Sequence, residues 1–385
     1  MVICRTLGVK FSAVLVILAV LAVLPASGAC SPDEWVRTFS GTDTEINSVW
    51  QNADGTYIAG GSDEYGRVIF GLDASGQTVQ TSHNLGGDEN GSVRFVEASP
   101  LGGYILFCDG EDLIKVNESG GVEWRYHQPI GVISSVEVTP EGGVLLAGSW
   151  LNSFLYKVGS DGNEEWNKTM GSVTNGMIDL ESVQNDPSGG FVLSGTISAF
   201  MSSDDDKGLI MKYSDDGEMI WANQYFGLLS GSFYSITPGQ DSGYVAALLT
   251  VKDNPVFLKN SEYGYTEMVY IPRIAFLDDN GAAIGVRNAA SEFSFVYYVA
   301  DSATDGYYMS GLTPFGLFKE NGYRIVKMND LGEFVWENTF YDAKLTSVHP
   351  SSDGGLVISG IAEKDCSYGK EGESFIYKMP EPVIR

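Results

Sequence analysis

The chain repeats itself seven times, and that repetition restricts its fold more than any other feature. One block reads Gly-Gly, a hydrophobic run, then Gly. It occurs as YIAGG (57–61), GGYILFCDG, GGVLLAGS, GGFVLSGT, SGYVAALLT, DGYYMSGL and GGLVISGI, at spacings of roughly 40 to 63 residues. An aliphatic residue precedes each copy: Val49, Val96, Val136, Val183, Ile236, Val299 and Val348. In five copies a serine stands just before it, at Ser48, Ser135, Ser182, Ser235 and Ser347. Repetition at such a period signals stacked supersecondary units that bury their apolar faces against one another.

Two further blocks complete each unit. The first is VIFGLDASG, LIKVNESGG, FLYKVGSDG, LIMKYSDDG, RIAFLDDNG, RIVKMNDLG and FIYKMPEP. The second is built on tryptophan: Trp124, Trp166, Trp221 and Trp336, with copies 1 and 5 lacking it. Four strand-length apolar segments, separated by Asp/Asn/Gly turns, therefore make one unit. The pattern predicts an all-β, seven-bladed β-propeller of four-stranded antiparallel blades. SPDEWVRTFSG (31–41) matches the tryptophan segment, whereas the chain stops after a third segment. The Trp35 segment should therefore supply the outer strand of the last blade, closing the ring by an N-terminal strand.

Residues 1–29 read as an export signal: Arg5 and Lys10, an apolar run from Phe11 to Pro25, and small residues before Cys30. Residues 30–385 then form one propeller domain. Cys30 follows the expected cut as a lipoprotein cysteine does, although Ser27 departs from the usual aliphatic position, and it is the lipidation candidate. The expected location is extracellular or cell-surface, with a lipid anchor at Cys30 as the one route to a membrane. Removing residues 1–29 changes the net charge from −27 to −29, which disfavours nucleic acid and anionic membranes as partners. A monomer is expected. Cys108 and Cys366 fall in repeats 2 and 7, which are not neighbours in a ring, so a disulfide between them is not expected; no CxxC or zinc spacing occurs. Asn90, Asn117 and Asn167 head N-x-S/T sequons.

The repeat T-x-D-G-G-Y-I-x-A-G followed by K-x-D-x-x-G-x-x-x-W resembles that of secreted archaeal and bacterial propellers, and more distantly the quinoprotein (PQQ)-like repeat. The resemblance spans residues 31–385. It implies an exported scaffold or binding protein and assigns no catalytic residue. No adjacent cysteines of a quinoprotein dehydrogenase are present, so no quinone cofactor is expected.

The loops and the channel hold the remaining candidates. Connections between second and third strands lengthen in units 4 to 7, all on one face, where a rigid scaffold usually places binding. Aromatics outside the repeating core mark that face: Trp150, Phe200, Phe257, Tyr263, Tyr265, Phe315, Phe318 and Tyr368. The favoured function is non-catalytic binding of an envelope polysaccharide or surface protein. The alternative is a carbohydrate-active hydrolase or lyase using channel carboxylates. Glu97, Glu137, Gln184 and His349 follow the inner-strand aliphatic residue and could converge there. The simpler reading is a channel lined by solvated polar groups, because the copies share no acid/base plan. Calcium would have Asp204, Asp205 and Asp206, or Asp278 with Asp279, as ligands. None matches a calcium loop, and Asp in such turns ordinarily bonds its own backbone.

Overall fold

A computed structural model describes residues 34–40, 44–83, 85–86, 91–110, 112–127, 131–149, 152–170, 176–199, 207–229, 231–240, 242–251, 270–288, 295–302, 305–313 and 322–381. Among these are seven four-stranded antiparallel sheets, each a meander from an inner to an outer strand. The inner strands are β2 (Glu45–Gln51), β6 (Val93–Ala98), β10 (Val132–Val138), β14 (Gly176–Asn185), β18 (Ser232–Pro238), β22 (Phe295–Asp301) and β26 (Ala343–Pro350). They open blades 1 to 7 in that order. The N-terminal strand β1 (Trp35–Phe39) pairs antiparallel with β28 (Ser374–Met379), Trp35 opposite Lys378, and so completes blade 7. The closure expected from the two chain ends is present, and it removes two open sheet edges.

The core is not one mass but seven layers, each shared by two neighbouring sheets. Leu145, Ala147 and Leu155 of blade 3 pack with Val183, Leu193 and Met211 of blade 4, and equivalent layers follow around the ring to blades 7 and 1. Second and third strands, buried on both faces, read as continuous apolar runs. Outer strands alternate instead, as in Met219–Tyr225.

The repeated glycines have local causes. Gly190 opens the second strand of blade 4 at φ +78, and a Cβ there would collide with the Tyr213 carbonyl. Gly195 lies opposite a β-bulge between Leu180 and Ser182, where a side chain would strike the Asp179 carbonyl. That bulge recurs at the same place in every inner strand, between Ile46 and Ser48 in blade 1 and between Leu345 and Ser347 in blade 7.

A lysine–tryptophan pair fastens the face that carries the short hairpin turns. Lys115, Lys157, Lys212, Lys327 and Lys378 stand directly opposite Trp124, Trp166, Trp221, Trp336 and Trp35. Each lysine is buried, and its ammonium reaches back to the first turn of its own blade. Lys212 lies 2.8 Å from Asp186, and Lys378 2.7 Å from Asp353. Each tryptophan leans the other way, onto the next blade. Trp124 Nε1 donates to Ser160 O (2.8 Å) and Trp166 Nε1 to Asp215 O (3.1 Å), with the rings covering Gly162 and Gly217. Trp336 Nε1 has no partner among the described residues, because the corresponding strands of blade 7 come from opposite ends of the chain and share no hairpin turn. Blades 1 and 5 lack the tryptophan and the lysine together: Gly71 faces Gln80, and Phe276 faces Gly285. In blade 5 the Phe276 ring and the Arg287 side chain cover Gly332 of the next turn instead.

Candidate functional site

The inner strands leave backbone N–H groups facing the central channel, and side chains of the preceding blade satisfy them. The repeated serine does this around the ring. Ser48 Oγ accepts Val96 N–H (3.2 Å), Ser135 accepts Val183 N–H (3.1 Å), Ser235 accepts Val299 N–H (3.1 Å) and Ser347 accepts Val49 N–H (3.3 Å).

Two positions further along the strand the copies diverge. Glu137 Oε1 accepts Asn185 N–H (3.1 Å) and the Asn185 amide, while its Oε2 accepts Gln184 Nε2 (3.1 Å). Glu97 likewise accepts the Val138 N–H of the next blade. These carboxyls retain some accessible area toward the channel, yet protein encloses them enough to desolvate the charged form. Burial pushes Glu137 up to about 7, against the downward pull of the Asn185 donors. Burial, and then the neighbouring Glu137 charge, hold Glu97 well above the ordinary carboxyl range. His349 is driven down to about 4 by burial, so its imidazole is neutral at physiological pH. Of the four channel candidates, Gln184 and Glu137 bond directly, Glu97 feels the Glu137 charge, and His349 bonds to none of the other three.

His349 instead joins an aromatic group. Its ring centroid lies 5.6 Å from that of Trp50 and 6.4 Å from that of Tyr298. Burial raises the Tyr298 hydroxyl, and the Glu137 and Glu97 charges add to the rise. Sequence reasoning missed Trp50, Asn185 and Tyr298. The signal was present, since Trp50 follows Val49 as Glu97 follows Val96, and Tyr298 takes the place of the repeated serine in copy 6.

Tyr298 and His349 line a cavity of about 400 Å³ between blades 6 and 7, together with Ser310, Tyr323, Arg324 and Ser347. It lies toward the face that carries the long loops. A second, more open cavity of about 430 Å³ lies between blades 2 and 3 against Phe95, Phe107 and Asp109.

Of the loop candidates, Trp150, Phe200, Phe257, Tyr263, Tyr265, Phe315 and Phe318 lie outside the described residues, as do Cys30 and Asp204–Asp206. Tyr368 is described, and it is partly buried. Its ring stacks on Phe375 (5.1 Å) and packs against Phe340 (5.3 Å) and Tyr377 (5.4 Å), because the blade 7 loop folds back over the apolar layer between blades 6 and 7. Asp278 Oδ1 accepts the N–H groups of Asn280 and Ala282, and Asp279 Oδ1 accepts Gly243 N–H, so both carboxylates serve turns. Cys108 and Cys366 are free thiols, the first buried and pushed up to about 12 by that burial. His83 and His127 pair at the surface with Asp63 (2.6 Å) and Asp112 (3.0 Å).

No protein-family model matches the chain, and a search of curated proteins finds no relative by sequence. Solved structures do match. Virginiamycin B lyase from Staphylococcus aureus is similar at 9% identity and a TM-score of 0.58, over 90% of this chain and 99% of that one. The Dos1 propeller is similar at 10% identity and 0.56, over 92% and 96%. Raptor from Chaetomium thermophilum is similar at 11% identity and 0.56, over 89% of this chain and 28% of that one. At these identities the likeness establishes the β-propeller fold and nothing about the task it performs.

Proposed function

We propose that this protein is an exported or cell-surface binding module, without catalytic activity, that presents the long-loop face of its propeller to an envelope polysaccharide or a surface protein. Residues 1–29 act as the export signal in this reading, and Cys30 is the anchor where one is used. The observation that carries it is the asymmetry of the ring. Five of the seven blades fasten their short-turn face with the same lysine–tryptophan pair, whereas the opposite face bears connections of unequal length above a partly open cavity. The acidic surface favours a neutral or basic partner.

The hydrolase or lyase reading draws on Glu97 and Glu137, whose raised carboxyls resemble an acid/base pair. Their hydrogen bonds speak against it. Both accept backbone N–H groups of the following blade, as Ser135 beside Glu137 does, and Glu137 is further occupied by Gln184 and Asn185.

The test uses residues 30–385 as bait against envelope polysaccharide and, separately, envelope protein. The control bait carries short Gly turns in place of 200–206, 252–269 and 314–321 and leaves the Tyr368 loop intact. Retention by the intact bait alone supports the module. Equal retention by both baits, or by neither, overturns it. Turnover of the polysaccharide that disappears in Glu137→Gln would establish the enzyme instead.

A further inference from the structure

Two polar side chains near the centre of the ring have no protein partner, although their neighbours do. Gln184, Asn185, Glu137 and the channel serines bond to one another or to backbone. The Tyr298 hydroxyl and the His349 ring nitrogens make no hydrogen bond among the described residues, and both rings pack against other aromatic rings. Both residues are only partly buried, so these polar atoms stay within reach of water or a guest. A guest that displaced the water without replacing its hydrogen bonds would be penalised. Both open on the same cavity between blades 6 and 7, whose volume of about 400 Å³ lies in the range of small-ligand sites.

The walls of that cavity select the chemistry of its guest. Ser310, Thr346 and Ser347 add hydroxyls, and Tyr323 adds a second tyrosine ring. The lining is more apolar than polar, with Leu345, Val348 and the aromatic rings. The Thr346 and Ser347 hydroxyls already bond to Ile46 O, Ser359 and Val49 N–H. An apolar guest would therefore leave chiefly the Tyr298 hydroxyl and the His349 nitrogens without a partner. A cation would meet Arg324. An anion would find a neutral imidazole and a guanidinium already 3.8 Å from Glu337, in a chain of net charge −27. A neutral ring with hydroxyls at its edge and C–H groups on its faces suits both the tyrosines and the hydroxyls.

We propose that the cavity between blades 6 and 7 is a subsite for one neutral pyranose ring of a glycan, hydrogen-bonded by the Tyr298 hydroxyl and the His349 imidazole. The proposal rests on the binding-module reading and narrows its ligand to carbohydrate.

Residues 30–385 would be titrated with the methyl glycosides of glucose, galactose, mannose and N-acetylglucosamine, and with glucuronate, by saturation-transfer NMR and calorimetry. At least one neutral glycoside should bind saturably and more tightly than glucuronate. Tyr298→Phe removes a single hydroxyl from an otherwise unchanged ring and should weaken that glycoside about fivefold, the loss of one neutral hydrogen bond. His349→Gln, which probes the same site through a different blade, should weaken it to a similar degree. Absence of saturable binding by every neutral glycoside, tighter binding of glucuronate, or undiminished affinity in both variants overturns the subsite. If the intact bait still retains envelope material that the trimmed bait loses, the subsite alone falls. If that capture fails too, the binding module falls with it.

Discussion

The two faces of the ring are built by different rules. On the short-turn face, one solution recurs from blade to blade. Asp73, Asn117, Asp278 and Asn329 occupy the same turn position, and each Oδ1 accepts the N–H two residues on. Beside them a buried lysine ties the two turns of a blade together, and a tryptophan ties that blade to the next. On the opposite face the strands begin alike and then part company, with a three-residue connection after Cys108 and an eighteen-residue one after Val251. Uniformity marks what the ring needs in order to close. Divergence marks what it leaves available for a ligand.

Blades 1 and 5 sharpen this contrast, because they close without the lysine–tryptophan pair. The largest expected effect lies there. Trp221 packs at 5.9 Å from Tyr244 and covers Gly281 of the next blade, so Trp221→Ala should cost about 3 to 5 kcal/mol in denaturant unfolding. Gln80 holds the same position in blade 1, and Gln80→Ala should cost no more than about 0.5 kcal/mol. Similar losses at the two sites would mean that the tryptophan is not what joins neighbouring blades. A Trp221→Ala protein of parental stability that no longer bound ligand would reverse the assignment of this residue to packing.

The same contrast appears in the direction of pH dependence. Burial would raise Asp186, but Lys212, Tyr244 and Ser188 outweigh it and hold the carboxyl below its ordinary value. A carboxyl depressed in the folded state contributes stability above its unfolded value near 4, and loses it as pH falls through the folded one. Glu137 has the opposite sign. Its carboxyl is raised to about 7, so the folded state holds the proton more tightly and stability declines as pH rises from about 4.5 to 7. Glu137→Gln should therefore be more stable than the parent at pH 8, by ~2 kcal/mol, and close to it at pH 4.5. Asp186→Asn should be less stable than the parent at pH 7, and the difference should shrink as pH falls below about 4. Thermal melts of both variants across this range decide the matter. Parallel profiles for the two would remove the distinction between channel and turn-face carboxyls.

Much of this architecture was legible in the sequence, for a physical reason. A propeller blade cannot bury its sheets alone, so each copy must repeat the same apolar runs, turn glycines and turn Asx residues. Those are the residues that repetition exposes. Even the closure was written in the mismatch between the Trp35 segment and the final FIYKMPEP. The candidate site was legible only as a set of positions. Aligning the copies places Glu97, Glu137, Gln184 and His349 at one level, but not which of them meet, because that depends on the rotation between blades. Tyr298 replaces a serine and so departs from the repeat. Tyr368 lies in a long loop, and sequence spacing does not reveal that this ring also packs on Phe340 and Phe375.

The smallest expected effect tests the serines, where the two regions merge. Ser135 lies in an inner strand, as the channel carboxyls do, yet it belongs to the uniform set that closes the ring. Ser135→Ala removes the acceptor of Val183 N–H and should cost about 1 kcal/mol in unfolding. A neutral hydroxyl carries no charge to titrate, so the loss should be the same at pH 5 and pH 8. A loss that grew with pH would mean that Ser135 also steadies Glu137. The serines and the carboxyls would then form one coupled network rather than two layers of the same strand.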